Sequence, residues 1–481
     1  MSERNLTLLT DYYEFTMSNG YFLLGRQNQR AAFDVFYREN PQRAGFSIFG
    51  GLQQIIDFLL DMHFTDADIE YLRSFNAFDE KFLAYLKDFK FTGDVYAFPE
   101  GTVMSPGEPI ITVVAPIIEA QLVETFILNQ FNHQSNIVTK TNRIVRAAKG
   151  RPVVEFGCRR AQNADAAIYG ARAAMLGGAV GTSTVLAGQI FGMPVAGTHA
   201  HSWIMSFETE EEAFRAYADL YPDNCTFLID TYDVLRSGAT NAIKVAKEYL
   251  EPMGKRLKAV RLDSGDLSWL SKEVRKMLDE AGMNDCKIMA TNALDEWKIT
   301  EMLDRGAQID SFGVGDNLIT ASPHPTFGGV YKLAAMEENG HWVPKIKISA
   351  TQEKITNPGF KRVYRIYNEE GFAHADLITC DDETPDISNG YKAIAPKEPW
   401  RRIEYHNCTI KEIRKQYIKN GELIEKMPSI TEIAAYVKDQ MDNEIWDEEK
   451  RFSNPHEHYV DFSPKYYQMK LALMEEFNKD E

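Results

Sequence analysis

Between about residue 150 and residue 335, short apolar runs alternate with helix-length amphipathic segments, and this rhythm limits the fold more than any other feature. The runs are PVVEF (152–156), AVGTS (179–183), MPVAGTH (193–199), TFLID (226–230), LKAVRLD (257–263), KIMAT (287–291), IDSFGVG (309–315) and GVYKLAA (329–335). Between two of them, LSWLSKEVRKMLDEAG puts Leu267, Leu270, Val274, Met277 and Leu278 on one helical face, with Gly282 placed to end the helix. Another segment, LDEWKITEMLDRGAQ, offers Trp297, Ile299, Met302 and Leu303 and then Gly306. Strand–helix units of roughly 20–30 residues predict parallel strands joined by crossover helices. With eight candidate strands the expectation is α/β, an irregular (β/α) barrel rather than an open sheet.

The flanks differ in texture. Residues 1–145 mix aromatic-rich strands with helices, and are read as an α+β domain. There AAFDVFYREN (31–40) alternates like a half-buried strand, GTVMSPGEPIITVVAP (101–116) reads as turn-punctuated strands, and 124–148 reads as a helix. Residues 146–340 form the expected barrel. Residues 341–481 lose the alternation: RVYRIYN and KAIAPKEPWRRIEY look like strands, and ITEIAAYVKDQMDNEIWDEEKRF looks like an acidic amphipathic helix. This last segment is expected to pack on the N-terminal one, giving a second α+β domain built from both ends.

Composition narrows the partners. The 481 residues carry 53 Lys+Arg against 70 Asp+Glu, a net charge of −17, with 44% hydrophobic and 26% charged residues. That is the balance of a globular chain, and an acidic one repels nucleic acid and anionic membranes. Any anionic substrate must be gathered by local Arg, Lys or backbone N–H groups. The five cysteines include no CxxC pair, which argues against a zinc ribbon or dithiol motif and suits a reducing cytoplasm. The first residues, MSERNLTLLTDYYEF, lack the apolar run of a signal peptide, and no run of 18 apolar residues predicts a membrane span.

Barrel enzymes build their sites at the carboxyl ends of the strands. The polar residues there are Gly157, Arg159 and Arg160; Ser183; His199 and His201; Asp230; Arg261, Asp263 and Asp266; Thr291 and Asn292; Gly313, Gly315 and Asp316; and Lys332. The arginine pair can clamp a carboxylate or phosphate. Phe156 is either core or a ring face for a flat ligand. His199 and His201 are two apart, so on a strand both would share a face. They can be metal ligands, or one can be a general acid–base or phosphoryl acceptor, or either can be a buried hydrogen-bonded ring. No later strand ends in His, which counts against a zinc centre. Asp263 alternates with Arg261 and can hold ribose hydroxyls or a Mg²⁺-bearing polyphosphate. Ser264 and Asp266 open a helix and can equally be caps. Glycines after a strand, as in SFGVGDNL, let backbone N–H groups approach a phosphate. Together these residues predict a mouth for an anionic, phosphate- and sugar-bearing substrate.

The segments LLTDYYEFTM (8–17), FDVFYRENP (33–41), EFGCRRAQNADAA (155–167), GTHAHSW (197–203), VRLDSGDL (260–267), FGVGDNL (312–318) and GVYKL (329–333) occur in the order found in one family. On them the chain closely resembles the nicotinate phosphoribosyltransferases, type II phosphoribosyltransferases, over about residues 5–340. The resemblance implies condensation of nicotinate with 5-phosphoribosyl 1-pyrophosphate, giving nicotinate mononucleotide and pyrophosphate in NAD salvage. It implies ATP as a hydrolysed co-substrate, Mg²⁺ arriving with pyrophosphate rather than in a fixed protein site (Asp263 its candidate ligand), and a head-to-tail homodimer with shared active sites.

By the same likeness His201 is the histidine that ATP phosphorylates, while His199 stands where relatives often have another residue. Phe156 and Tyr13 resemble the rings that sandwich the pyridine, Tyr13 coming from the partner subunit. Arg159 and Arg261 match positions near the pyridine and the ribose 5-phosphate, Asp263 the carboxylate on the ribose hydroxyls, and Gly313 and Gly315 the phosphate-cradling turn. Ser183 stands where nicotinamide-using relatives carry Asp; it can donate to a carboxylate that Asp would repel, which implies the acid as substrate. Two rival readings remain for the residues themselves: a barrel metallohydrolase using both histidines, and a non-catalytic nucleotide-binding regulator. Quinolinate phosphoribosyltransferase is a nearer relative but usually much shorter.

Overall fold

The computed structural model describes residues 4–351 and 354–478; the first three residues, part of the stretch read above for a signal peptide, lie outside them. The chain divides into two units, Ile137–Pro325 and the combination of Met1–Asn136 with Thr326–Glu481.

The central unit is built on six short strands, β1 (Val153–Glu155), β2 (Gly181–Thr182), β3 (Thr226–Leu228), β4 (Ala259–Leu262), β5 (Lys287–Ala290) and β6 (Ser311–Val314). Their order across the sheet is β2-β1-β6-β5-β4-β3, all parallel. The first of these six strands therefore sits between the second and the last. Val195 adds one parallel bridge to Thr182 beyond β2. Among the described residues no strand pairing joins that bridge to β3, so hydrogen bonding does not close the sheet into the expected barrel.

Two expected strands differ. MPVAGTH supplies only the Val195 bridge, because Pro194 and the small residues after it cannot sustain a ladder. GVYKLAA leaves the parallel sheet altogether: Gly329–Glu338 pairs antiparallel with Arg30–Tyr37 in the other unit.

The crossover helices form where the periodicity puts them. Asp266 caps Leu267–Glu280 by accepting from the Trp269 N–H at 3.1 Å, Leu270, Val274 and Leu278 are buried, and Gly282 follows in the left-handed region. The helix Glu296–Asp304 starts on a buried ion triad. Both oxygens of Glu296 are engaged, by Lys140 Nζ at 2.5 Å and Arg143 Nε at 2.9 Å, with all three side chains almost fully buried. Opposite charges this close hold Glu296 ionised against the cost of burial.

The second unit holds a seven-stranded sheet. Across it run His341–Pro344, Gly329–Glu338, Arg30–Tyr37, Ile111–Pro116, Asp94–Ala97, Lys415–Lys419 and Glu422–Leu423. Arg30–Tyr37 is not half-buried, as its alternation predicts. It lies between two partners with both faces covered, and Asp34 on it is buried beside Lys361 and accepts from Thr112 Oγ1 at 2.6 Å. A six-stranded sheet in the same unit includes Lys361–Tyr367, Tyr391–Ile394 and Arg402–Tyr405, and the acidic tail forms the helix Ile430–Asp439.

Candidate active site

A cavity of about 330 Å³ opens at the carboxyl end of the parallel sheet. Parallel strands leave their C-terminal ends pointing the same way, so the residues that follow each strand converge there. After β1 the chain turns through Phe156 and Gly157 into the short helix Cys158–Arg160, which sets Arg159 and Arg160 on the cavity wall. Ser183 follows β2. The segment Gly197–His201, then Arg261 and Asp263 from β4, Thr291–Ala293 after β5, and Gly313, Gly315 and Asp316 from the end of β6 complete the lining.

Phe156, Arg159, Ser183, His201, Arg261, Asp263, Gly313 and Gly315 thus all line one cavity. Tyr13 does not; it lies on the helix Tyr12–Leu23 of the other unit, 45% exposed. Lys332 is also in that unit, on the strand Gly329–Glu338, with Nζ 3.8 Å from Glu124. Asp266 is spent as a helix cap.

The arginines are not alike. Arg261 is mostly buried: Nη1 donates to Thr198 Oγ1 at 2.6 Å, and Nη2 lies 4.0 Å from Asp263. Desolvation pulls its pKa below the usual arginine range, and only Asp263 and Asp230 counter it. Arg159 and Arg160 are exposed, and neither forms an ion pair among the described residues. They are the cations free to meet an incoming anion.

His201 begins the helix His201–Met205 rather than sitting on a strand. Its Nδ1 lies 3.1 Å from Thr231 Oγ1, and its Nε2 faces two carboxylates, 3.8 Å from Asp263 Oδ2 and 4.0 Å from Asp230 Oδ1. Asp230, its side chain 1% exposed, uses Oδ2 for the Asp263 N–H at 3.0 Å and the Ser264 hydroxyl at 2.6 Å. Its Oδ1 is buried with no hydrogen-bond partner. Thr291 Oγ1 donates to Asp263 Oδ1, so both strand-end carboxylates are held in place.

The expected strand face shared by the two histidines is not formed. His199 is in the loop, 7% exposed, and its Nε2 accepts from the Leu228 N–H at 3.2 Å. Burial lowers its pKa to about 4, which keeps the ring neutral. That lone pair is already used, so the pair cannot ligate a metal together. No cluster of three or more His, Cys, Asp or Glu side chains suited to a metal ion occurs among the described residues.

Some residues that shape the site are not among those singled out at the strand ends from the sequence. Thr198 and Thr231 are the partners of Arg261 and His201. Glu155 is buried at the end of β1, where it accepts from the Gly157 N–H and from Thr182 Oγ1 at 2.5 Å. Burial raises its pKa. A carboxylate inside the apolar run PVVEF was the available signal. Asn292 and Ala293 both have positive φ, 97° and 45°, and Asn317 Nδ2 fixes this strained turn through the Ala293 carbonyl at 2.9 Å. Gly313 has a second reason to be glycine: a Cβ there would come within 2.6 Å of the Phe156 ring and 2.7 Å of Thr291 Cγ2. The aromatic ring lies directly on its backbone.

Comparison with known proteins gives a consistent picture. Three family models match: the nicotinate phosphoribosyltransferase N-terminal domain over residues 8–132, the nicotinate phosphoribosyltransferase family over 152–374, and the nicotinate phosphoribosyltransferase C-terminal domain over 360–470. The nicotinate phosphoribosyltransferase of Bacillus subtilis (strain 168) is 42% identical over 98% of this chain and 96% of its own. That of Caenorhabditis elegans is 33% identical over 97% and 93%. The crystal structure of human nicotinic acid phosphoribosyltransferase superposes with a TM-score of 0.86 at 27% identity, covering 97% of this chain and 100% of that one. A nicotinate-nucleotide pyrophosphorylase from Pyrococcus furiosus shares the fold at a TM-score of 0.69 and 24% identity.

Proposed function

Because this chain belongs to the nicotinate phosphoribosyltransferase family, we propose that it joins nicotinate to 5-phosphoribosyl 1-pyrophosphate, forming nicotinate mononucleotide and pyrophosphate for NAD salvage. The observation that carries this reading is the convergence of Phe156, Arg159, Ser183, His201, Arg261 and Asp263 on one cavity. In an acidic chain these arginines are the local charge an anionic substrate requires. The open parallel sheet, extended by the Val195 bridge, is read here as an irregular (β/α) barrel with its gap beside β3.

In the reaction a bond forms between the pyridine nitrogen and the anomeric carbon, while the bond from that carbon to pyrophosphate breaks. The Phe156 ring supplies a flat seat for the pyridine, with Ser183 donating to its carboxylate and the free guanidinium of Arg159 beside it. Arg261 answers the ribose 5-phosphate, and the backbone of Gly313 and Gly315 lets the phosphate come close. Asp263 takes the ribose hydroxyls and stabilises positive character at the anomeric carbon. Bound Mg²⁺ would neutralise the departing pyrophosphate. Asp263 and the bare, buried Oδ1 of Asp230 fit that cation as part of a site completed by substrate oxygens.

ATP is the co-substrate: a nitrogen of His201 takes its γ-phosphoryl group as the phosphoanhydride bond breaks and ADP leaves, and water later takes that group off as inorganic phosphate. Each cycle can then bias the site toward a productive binding state through differential affinity. Tyr13, exposed on its helix, is read as the second ring over the pyridine in a partner's site, in a homodimer with shared active sites. No described helix is long and apolar enough to cross a membrane, and five free cysteines suit the cytoplasm. The metallohydrolase reading is disfavoured by the commitment of His199 to Leu228.

The direct test is a product assay with nicotinate, nicotinamide and quinolinate in parallel, each with and without ATP. Nicotinate mononucleotide should form from the acid, faster with ATP, with turnover of the other two at least about tenfold lower. Preferred use of quinolinate with release of CO₂, or binding without turnover, overturns the reading. A finer check is Gly313→Ala, whose Cβ pushes the Phe156 ring off its seat. The KM for nicotinate should rise several-fold, with overpacking costing about 1–3 kcal/mol of stability by urea unfolding.

A further inference from the structure

We propose that His199 is a positioning residue for His201: its imidazole pairs with the open edge of β3 where the parallel sheet breaks, and so fixes the loop that carries His201. The assignment of a chemical role to His201 rests on the reading above; the loop geometry does not.

Every buried backbone N–H at the edge of the sheet needs an acceptor. β3 pairs with β4 on one side only, so its other edge presents backbone N–H groups without a strand to receive them. Leu228 is fully buried, and an unpaired N–H there would carry the full cost of desolvation. His199 Nε2 meets that N–H at 3.2 Å. Accepting requires a bare Nε2, which assigns the proton to Nδ1. The ring is held by aromatic neighbours from the helix Glu210–Leu220: Tyr217 edge-on at 4.8 Å and Phe214 at 6.3 Å between centroids. That helix begins in a capping box between Thr209 and Glu212, so the buttress is itself well anchored.

Loop and strand then run on together. Three residues beyond Leu228, Thr231 Oγ1 lies 3.1 Å from His201 Nδ1. One residue before His199, Thr198 Oγ1 takes the Arg261 hydrogen bond at 2.6 Å. Three side-chain links therefore stitch residues 198–201 to β4 and to β3 and its end, doing with side chains what a backbone ladder does elsewhere in the sheet. The link at His199 is the buried one. Without it, the side-chain links from residues 198–201 to the sheet among the described residues are the two beside the cavity, and Nε2 of His201 loses its fixed approach to Asp230 and Asp263. Displacements of an ångström at a reacting group commonly cost about 100-fold.

The test compares His199→Leu, which keeps apolar volume but cannot accept, with His199→Gln, whose amide oxygen can reach the same N–H. Amide hydrogen exchange over residues 226–231 should quicken at least tenfold at Leu228 in the Leu variant and recover in the Gln variant. Label transferred to His201 from γ-labelled ATP should fall at least tenfold in the Leu variant, with the nicotinate KM moved less than twofold, and should return with Gln. Wild-type exchange and labelling in His199→Leu, or a Gln variant no better than Leu, overturns the proposal. If the wild-type protein takes no label, the role given to His201 fails. The positioning claim is then judged by exchange together with the His201 ring resonances, which should shift with Leu and return with Gln. Should the Leu variant not fold, nitrogen-15 spectra of the wild-type His199 ring decide: an Nδ1–H tautomer supports the assignment and an Nε2–H tautomer overturns it.

Discussion

A His201→Ala variant given γ-labelled ATP, nicotinate and phosphoribosyl pyrophosphate is expected to carry no stable label and to lose nicotinate-stimulated ATP hydrolysis by at least about 100-fold. Nicotinate mononucleotide should still form slowly, without ATP dependence. The asymmetry follows from where the ring stands. His201 is the imidazole in the cavity that is only partly buried, side chain 40% exposed, and its Nε2 is committed to no hydrogen bond among the described residues. The proposed pyridine seat at Phe156 and phosphate turn at Gly313 and Gly315 belong to other strand ends, so removing the imidazole should leave them in place. Acid-labile phosphate on the wild-type protein, absent from the variant, is the measurement. Stable label on His201→Ala at the wild-type level would remove His201 from the mechanism.

The same residue shows what a sequence of this kind reveals and what it hides. The parallel sheet was legible because each strand is a short buried run and each helix carries its own face and stop, as Leu267–Glu280 does with Gly282. These are local patterns. The run at 329–335 has the same local composition, yet it pairs with Arg30–Tyr37 some 300 residues away, and nothing within the run encodes that choice. The histidines misled for a related reason. A spacing of two places side chains on one face only if the backbone is a strand, and here it is a loop entering a helix. Charged residues at strand ends announced the cavity; Thr198 and Thr231, which orient two of them, are uncharged, and nothing in their immediate sequence marks them as partners of Arg261 and His201. The buried role of Asp34 was hidden too, since its partner Lys361 lies far off in the chain.

Ser183→Asp is expected to raise the nicotinate KM by at least about tenfold, some 1.4 kcal/mol of lost binding, and to favour nicotinamide relatively. Ser183 lines the cavity with Phe156 and Arg159, and its own N–H donates to the Glu155 carbonyl at 2.8 Å, so its backbone is fixed. Beneath it Glu155 is already a buried carboxylate whose pKa burial has raised. A second carboxylate in this neighbourhood would meet the negative charge of nicotinate bound as proposed and remove a donor. Leaving such a charge unpaired costs about 1–3 kcal/mol or more. The nearby guanidinia of Arg159 and Arg160 offset part of it, which is why the expected change is tens-fold rather than thousands-fold. Ser183→Ala separates the two effects: it loses the donor alone and should raise KM only several-fold. An amide NH₂ can donate to Asp, so the variant's preference for nicotinamide over nicotinate should move in the amide's favour even if turnover stays slow. An unchanged nicotinate KM in Ser183→Asp, with a melting temperature matching the parent, would mean that the substrate carboxylate does not lie against residue 183.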